Sequence, residues 1–512
     1  MPDNWPIWAV LVSYLSVLFG LAIWSARSTR DLTGYYLAGR RLPAMVVGFS
    51  AASTGESAWL LLGLTGMGYL LGANALWIVF GEVVATAVAW AFVGPRFKAL
   101  ADRYQSITVA DWLEERFGDR RQILRILGVA VILVMAGTYM AAQLTGSGKA
   151  FESFLGVPYE WGVLLGAAII LFYTSLGGLK AVAWSDLIQS VLMASGLVVL
   201  PLVAISTLGG VSALAERLAA MDPGLLRPLG VEGASGRGIA DVFSHLGVGL
   251  AFLGAPQLLV RFMASKDRRT LSDGGVVAAS AIILFDLGAV SAGMAGRALY
   301  PAIADPEGIL PLLATELMPP VVTGLFLVAV LAAIMSTADS VLLLASSAVV
   351  RDLFGKLIAP RVLAGSGGEG GLRARIAWLT GDERRMARLS KLVTLGLGLA
   401  GIAVALPEVR VIFFFVLFSW SGLGCAFAPV AILGIFWRRM NLPGAVAGMV
   451  AGFSASVGWY LWGKPVFHEL YEMVVGFAAG FLAAIVVSLL TKEDPRGAAE
   501  IETAARWAAR ST

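Results

Sequence analysis

About thirteen stretches of about 20 mostly apolar residues run along this chain, and they limit its possible folds more than any other feature. Each stretch is long enough for a helix to cross the hydrocarbon core of a bilayer. Charged residues make up 14% of the 512 residues, whereas roughly 25% is typical of a soluble protein. The sequence therefore predicts an all-α integral membrane protein. Its spans are expected at approximately residues 6–26, 44–72, 74–94, 124–155, 159–176, 181–206, 240–263, 272–299, 320–350, 390–407, 410–437, 442–462 and 471–491.

The Lys and Arg residues lie mostly in every second connection between these spans. Because cytoplasmic loops carry an excess of positive charge, this pattern predicts a protein of the cytoplasmic membrane with its N-terminus outside and its C-terminus inside. The first span has no basic stretch before it and no convincing cleavage site, so we interpret it as a retained helix. Residues 95–121 alternate charged and apolar side chains and predict helices on the cytoplasmic surface.

The second span, 44–72, is interrupted at its centre by hydroxyls, a glycine and a carboxylate. These residues are Ser50, Ser53, Thr54, Gly55, Glu56 and Ser57. A carboxylate at that depth usually faces a polar cavity or an ion pathway. A helix can break there only where protein or a cavity satisfies the freed carbonyls. We therefore predict a broken helix whose backbone oxygens form part of an ion and solute site. The alternative is a continuous helix in which Glu56 pairs with a neighbour.

The seventh span, 240–263, contains a similar interruption five spans later. It includes Gly247, Gly249, Gly254 and Pro256, and a proline inside a helix removes a hydrogen bond and bends the chain. Two interrupted helices at corresponding positions of two five-helix halves are typical of transporters built from inverted repeats. For the glycines of either interrupted span taken alone, the alternative is that they allow two helices to pack closely.

The ninth span, 320–350, places several oxygen atoms where they can bind a cation. The hydroxyls of Ser336 and Thr337 lie about one helical turn beyond the carbonyl of Ala333, and small hard cations prefer several oxygen ligands. The alternative is that both hydroxyls bond to carbonyls of their own helix. Asp339 follows closely, and a second intramembrane carboxylate favours an ion pathway.

Five more polar residues within the spans have open roles. Asp186 is a candidate for a second cation ligand, a gate residue or a helix cap. Tyr139 and Gln143 are placed either to reach a solute or to bond across helices. Glu82 and Asp286 are further intramembrane acids to which the sequence assigns no role.

Enzymatic motifs are absent from the sequence. It contains no phosphate-binding loop, nucleophile elbow, zinc motif or dinucleotide fingerprint. Its only cysteine, Cys425, excludes an intrachain disulfide and a cysteine zinc cluster. We therefore expect a transporter and not an enzyme or an ATP-driven pump. No organic cofactor, nucleic-acid partner or obligatory protein partner is expected.

Six motifs in order resemble those of the sodium/solute symporters, and within that family those of the bacterial sodium/proline symporters. Each motif alone is a weak pattern, but together they span most of the chain and are specific to the family, though not to one solute. They are YYLAGRRL from Tyr35, SAASTGESAWLLLGLTG from Ser50, GGLKAVAWSDLIQ from Gly177, GAPQLLVRFMA from Gly254, LAAIMSTADS from Leu331 and FSWSGLGCAFAPVAILGIFWRRMNLPGAVAGMVAG from Phe418.

The resemblance implies a LeuT-type core of two inverted five-helix repeats and, as transported partners, sodium and a small organic solute such as the amino acid proline. The implied organisation is a first helix and cytoplasmic loop (1–43), the first repeat (44–207), an external loop (208–239), the second repeat (240–437), two further spans (438–491) and a cytoplasmic tail (492–512).

The resemblance also implies which residues form the sites. Sodium would bind to backbone oxygens of Ser53 and Glu56, the carbonyl of Ala333 and the hydroxyls of Ser336 and Thr337. A second cation or the coupling step would use Asp186 and Asp339, and Arg40 matches a basic position of the first cytoplasmic loop. The candidate solute contacts are Thr54, Ser57, Ala58, Trp59, Tyr139, Gln143, Val248, Phe252 and Pro256.

This chain departs from the proline symporters at four of these positions. They carry an aspartate where it has Gly55 and an uncharged residue where it has Glu56. They carry Trp and Tyr where it has Val248 and Phe252. A different amino acid or a small organic acid is therefore a rival solute. Proton coupling through Glu56 is a rival to sodium, and a non-transporting solute sensor is a rival from another class.

Overall fold

The computed structural model describes residues 5–27, 29–364, 371–407, 412–467 and 470–509, and nearly all of them are helical. The helices of the first half are α1 (Trp5–Ala26), α2 (Leu32–Leu37), α3 (Ala44–Ala58), α4 (Thr65–Leu71), α5 (Leu76–Val88), α6 (Gly94–Arg103), α7 (Val109–Phe117), α8 (Ile123–Leu155), α9 (Tyr159–Leu208) and α10 (Val211–Met221). Those of the second half are α11 (Gly236–Gly247), α12 (Pro256–Ala264), α13 (Arg268–Leu299), α14 (Ile309–Leu317), α15 (Pro320–Ser347), α16 (Ala359–Ala364), α17 (Gly371–Thr380), α18 (Glu383–Ala405), α19 (Ile412–Phe436), α20 (Leu442–Gly458), α21 (Lys464–Phe467), α22 (Glu472–Leu490) and α23 (Gly497–Ala509).

Short tighter or wider turns join several of these helices. The 3₁₀ turns are Ala38–Arg40, Gly72–Ala75, Pro223–Leu226, Val248–Leu253 and Pro306–Gly308. The π-helical turns are Trp59–Leu64, Ala89–Val93, Ala348–Ile358 and Trp459–Gly463. Within the described ranges, Leu42 and Ser265 form the single isolated β-bridge. The prediction of an all-α protein is confirmed for this part of the chain.

The described residues contain 10 helices long and apolar enough to cross a membrane, or 11 when the bent pair of α11 and α12 counts as one span. This number does not confirm the predicted count of about thirteen. Two helical stretches, Ala44–Arg103 and Tyr159–Leu208, are 60 and 50 residues long, and each covers two predicted spans. The chain turns there at a single residue, Gly72 or Gly178, which has a positive φ in each case.

The predicted break in the second span is present, at the C-terminal end of α3. Ser57 leaves helical geometry with φ 51° and ψ −168°, a conformation that is costly for a residue with a side chain. The freed groups find partners, because the Ala58 N–H donates to the Gln143 side chain at 3.1 Å and the Trp59 N–H donates to the Ser57 hydroxyl at 3.2 Å. The alternative of a continuous helix is therefore wrong for this backbone.

Gly55 has a different role from the predicted one. It keeps helical geometry, and its lack of a side chain makes room for the Phe252 ring. A Cβ at Gly55 would lie 2.5 Å from Cε1 of Phe252. The helix break at Ser57 and the close approach of Phe252 therefore occupy neighbouring positions of α3.

The predicted break in the seventh span is also present. α11 and the following 3₁₀ turn end at Leu253, and α12 begins at Pro256, with a bend of 41° between the two parts. The Trp420 indole N–H donates to the Val248 carbonyl at 3.0 Å and satisfies one backbone oxygen of this turn. The two broken segments face each other, because the Phe252 ring lies against Gly55 of α3.

The segment predicted to form surface helices folds as α6 and α7, but both helices are packed into the protein. Lys98, Trp112 and Arg116 are almost fully buried. Helix α23 covers α6, and Arg116 pairs with Glu500 of α23 at 3.3 Å. The prediction of helices is confirmed, and the last helix of the described chain covers part of their surface.

Arg125, at the start of α8, joins three carboxylates in a buried network. Its guanidinium contacts Asp111 at 2.7 Å and also pairs with Glu114 and Asp352. Burial acts to raise the pKa of the Asp111 carboxyl, but Arg351 and Arg125 hold that pKa below its usual value. The network therefore ties α7 to α8 and to the π-helical turn after α15.

We expect Arg125→Gln to lower the apparent unfolding temperature of the detergent-purified protein strongly. Removing one partner of a buried ion pair leaves uncompensated charge and costs about 3–5 kcal/mol. The control is Arg506→Gln, whose pair with Glu502 is exposed on α23 and should contribute little. Equal effects of the two substitutions would contradict this role of Arg125.

We expect Gly55→Ala to destabilise the protein by about 1–3 kcal/mol, because the new methyl group overlaps the Phe252 ring. A second substitution, Phe252→Leu, should recover part of that loss, and a double-mutant cycle in thermal unfolding measures the coupling. Gly137→Ala on α8 is the control, since a Cβ there meets open space. Additive effects of Gly55→Ala and Phe252→Leu would contradict an overlap between the new methyl group and the Phe252 ring.

Candidate functional site

The oxygens of the predicted sodium ligands on α3 and α15 lie together. The Ser336 hydroxyl is 3.0 Å from the Ser53 carbonyl and 3.0 Å from the carbonyl of Ala333. The Thr337 hydroxyl is 3.1 Å from the Thr54 carbonyl and 3.5 Å from the Ser53 carbonyl. Ser336 therefore bonds both within its own helix and across to the end of α3. Several uncharged oxygens from two helices meet here, as a small hard cation requires.

The backbone and the side chain of Glu56, the remaining predicted ligand, lie in different surroundings. Its backbone oxygen accepts a hydrogen bond from the Trp59 N–H at the break. Its side chain is fully buried beside those of Glu82 and Asp286, and one oxygen from each of the three carboxylates lies within 4.8 Å of the others. The sequence assigned no role to Glu82 and Asp286, and their proximity to Glu56 is a product of the tertiary structure.

Asp186 forms an ion pair with a basic side chain of the protein that was not among the predicted site residues. Arg261 of α12 is almost fully buried, and its guanidinium lies 3.5 Å from the Asp186 carboxylate. The Ser50 hydroxyl donates to the same carboxylate oxygen at 2.6 Å, and Arg261 donates to the Thr54 hydroxyl at 2.8 Å. Asp186 is therefore not a cap at a helix end. It belongs to a charged contact between α3, α9 and α12.

One sequence signal for Arg261 is its position before the end of the apolar segment 240–263. The other predicted coupling residue, Asp339, accepts a hydrogen bond from the Tyr173 hydroxyl. Ser340 donates to Asp339 at 3.2 Å.

The predicted solute residues lie on both sides of the break, and most already have protein partners. Thr54 faces Ser340 of α15 at 3.1 Å. The side chains of Ser57 and Gln143 accept the hydrogen bonds of the broken backbone, next to the buried Ala58 and Trp59. Pro256 begins α12, and Phe252 packs edge-on against Trp420 with ring centroids 5.2 Å apart.

A cavity of about 480 Å³ lies along the helical stretch that follows the break, where Gly63 and Gly66 line it, and we refer to it as the vestibule. Of the predicted solute residues, Val248 is the one that lines it. The polar lining includes residues that the sequence analysis did not select, because they belong to segments distant in the chain. These are Asn74, Asp241, Ser244, His245, Asp305, Glu307, Lys464 and Tyr471.

Arg40 lies in the loop between α2 and α3 with a positive φ of 57°. Its guanidinium pairs with Asp102 at 2.8 Å and donates to the Ser106 carbonyl at 2.7 Å. Arg40 therefore ties this loop to helix α6 and to the connection between α6 and α7.

Comparison with known proteins identifies the family. The model of the sodium:solute symporter family matches residues 35–365 and 374–452. The chain is 33% identical to the high-affinity proline transporter PutP of Bacillus subtilis (strain 168) over 91% of this chain and 94% of that protein. It is 32% identical to a sodium/proline symporter of Staphylococcus aureus over 96% of this chain and 94% of that protein.

Solved structures show the same fold. A substrate-bound, outward-open sodium-coupled sialic acid symporter aligns with a TM-score of 0.78, covering 95% of this chain and 98% of that one at 20% identity. The nucleobase-cation-symport-1 transporter Mhp1 aligns with a TM-score of 0.56 at 13% identity, over 94% of this chain and 95% of that one. The fold is thus of the LeuT type, as the resemblance implied. With the family match along most of its length, this chain belongs to the sodium:solute symporter family.

Proposed function

We propose that this protein is a secondary active symporter of the cytoplasmic membrane that couples inward sodium movement to uptake of a small organic solute. The observation that carries this proposal is the group of oxygens from Ser53, Thr54, Ala333, Ser336 and Thr337 at the end of α3. Family membership supports sodium as the coupling ion. The proposed sodium ligands are the Ser53, Glu56 and Ala333 backbone oxygens with the Ser336 and Thr337 hydroxyls.

Proline is the first solute to test, because the relatives at 33% and 32% identity are proline transporters by name. The candidate solute site lies below the vestibule, between the break at Ser57 and the bend at Pro256. Phe252 and Val248 make its wall more apolar than the Tyr and Trp of the proline symporters would. A different small amino acid or organic acid remains the rival solute.

The proposed mechanism is alternating access between the two repeats, 44–207 and 240–437. Sodium between α3 and α15 would replace the hydrogen bonds that Ser336 and Thr337 now donate to Ser53 and Thr54. That ion would stabilise the broken end of α3, where the solute also binds. Each unit charge that moves inward across 100 mV supplies about 2.3 kcal/mol.

Asp186 and Arg261 are proposed to act in the coupling step. Arg261 contacts Asp186 of α9 and Thr54 of α3, so movement of either repeat changes this contact. We propose that Asp186 holds Arg261, and that Asp339 and Tyr173 position the neighbouring part of α15. The proposed orientation, with the N-terminus outside, is supported by the concentration of Lys and Arg in every second connection.

We expect Ser336→Ala with Thr337→Ala to raise the sodium concentration for half-maximal uptake at least about tenfold, which corresponds to about 1.4 kcal/mol. Radiolabelled proline uptake into proteoliposomes under an imposed sodium gradient is the measurement. Ser195→Ala with Thr207→Ala is the matched control, because both hydroxyls bond only to carbonyls of their own helix and face outward. An unchanged sodium requirement in the Ser336 and Thr337 variant would refute the proposed sodium site.

Uptake measured under a sodium gradient and under a pH gradient distinguishes sodium coupling from proton coupling through Glu56. We expect uptake under a sodium gradient at equal pH on both sides, and none under a pH gradient in choline medium. The opposite result, abolished by Glu56→Gln, would favour the proton-coupled symporter. Solute binding without flux under either gradient would favour the solute sensor.

A further inference from the structure

Three buried carboxylates meet beside the helix break, and the symport mechanism above does not use them together. Glu56 lies just before the break in α3, Glu82 lies in α5 and Asp286 lies in α13. All three side chains are 0 or 1% exposed, and one oxygen from each lies within 4.8 Å of the other two. We refer to these three residues as the acidic triad.

Apart from one another, the three side chains of the acidic triad have no positive or hydrogen-bonding protein partner for most of their oxygens among the described residues. Both carboxylate oxygens of Glu56, both of Asp286 and one of Glu82 lack a hydrogen-bond partner. Three carboxylates so close together and out of water repel each other strongly, and the cost is far greater than in an exposed cluster. A cation must therefore be bound whenever all three carboxyl groups are ionised.

A fourth buried oxygen, from a different helix, lies near the acidic triad. The Tyr139 hydroxyl of α8 is fully buried, lies near Ser57, and makes no hydrogen bond of normal geometry. It is within electrostatic range of both Glu56 and Glu82. A tyrosine hydroxyl can offer its oxygen lone pair to a cation.

Helix α5 joins the vestibule to the acidic triad. Ile78 lines the vestibule, and Glu82 lies one helical turn further along the same helix. Tyr471 also lines the vestibule and lies within electrostatic range of Glu82. This face of α5 is the route that we propose for an ion from the vestibule to the three carboxylates.

We propose that Glu56, Glu82 and Asp286 form a binding site for one hard metal cation, separate from the sodium site at α15. Oxygens within 4.8 Å of one another can surround an ion with ligand distances of about 2.3–2.6 Å, the range of Ca²⁺, without large movement. A divalent ion leaves less uncompensated charge on three carboxylates than a monovalent ion does. Calcium is therefore the first probe and sodium the second.

Thermal unfolding of the full-length protein tests this proposal without any need for transport. The protein is purified in choline buffer at fixed pH, treated with EGTA, and then titrated with CaCl₂ or NaCl. The background variant is Ser336→Ala with Thr337→Ala, which removes the hydroxyl ligands of the α15 site. A cation that binds the folded state raises its unfolding temperature by mass action. We expect a saturable rise in this background with at least one of the two cations.

Substitutions in the acidic triad should abolish the cation-dependent rise in unfolding temperature. They should also raise the unfolding temperature of the cation-free protein. In Glu82→Gln or Asp286→Asn, the cation should no longer stabilise the protein, while the cation-free protein should unfold at a higher temperature because repulsion is relieved. Asp273→Asn is the matched control, since Asp273 lies on α13 with Asp286 but is exposed. It should leave the cation response unchanged.

Equilibrium dialysis with ⁴⁵Ca²⁺ or ²²Na⁺ gives the number of ions per chain and keeps the proposal testable if a triad variant is unstable. One ion bound in the background variant, and none when Glu82→Gln or Asp286→Asn is added, supports the site. No cation effect and no bound ion in the background variant would overturn it, as would a response that survives both triad substitutions. Neither result depends on sodium-coupled uptake, so a failure here is distinct from a failure of the proposed symport.

Discussion

The contact between the broken end of α3 and the middle of α15 is the interaction on which the rest of the structure depends. A helix that breaks inside a membrane exposes carbonyl oxygens that lipid cannot satisfy. Here the hydroxyls of Ser336 and Thr337 donate to the carbonyls of Ser53 and Thr54, and Gln143 of α8 accepts from the Ala58 N–H. The strained backbone at Ser57 is therefore held by two neighbouring helices, α8 and α15, and the same oxygens are suited to a cation.

Two groups of buried charge surround this contact, and they differ in how the charge is balanced. On one side, Asp186 has Arg261 as a partner within the protein, and the pair joins α9 to α12. On the other side, the carboxylates of Glu56, Glu82 and Asp286 meet with no described basic partner. The first group is internally compensated and fits a coupling role. The second, when its three carboxylates are ionised, needs a positive partner from outside the chain.

Much of this protein could be predicted from its sequence because membrane spans and helix breaks are local properties. Apolar length predicted the helices, and polar residues inside apolar segments predicted both breaks. The predicted number of about thirteen spans is not confirmed. At Gly72 and Gly178 a helical stretch turns at a single residue, so two predicted spans form one continuous helical stretch. Gly55 was assigned to the break, whereas its space is occupied by Phe252 from a distant segment.

The sequence by itself determined the membrane class, the broken helices, the family and the hydroxyl pair of α15, since each follows from neighbouring residues or from motifs in order. Only the tertiary structure decided which buried charges meet. Arg261 and Asp186 lie 75 positions apart in the chain and meet only through the fold. Glu56, Glu82 and Asp286 come together through the packing of α3, α5 and α13. Coulomb interactions depend on distance in space and not on separation along the chain.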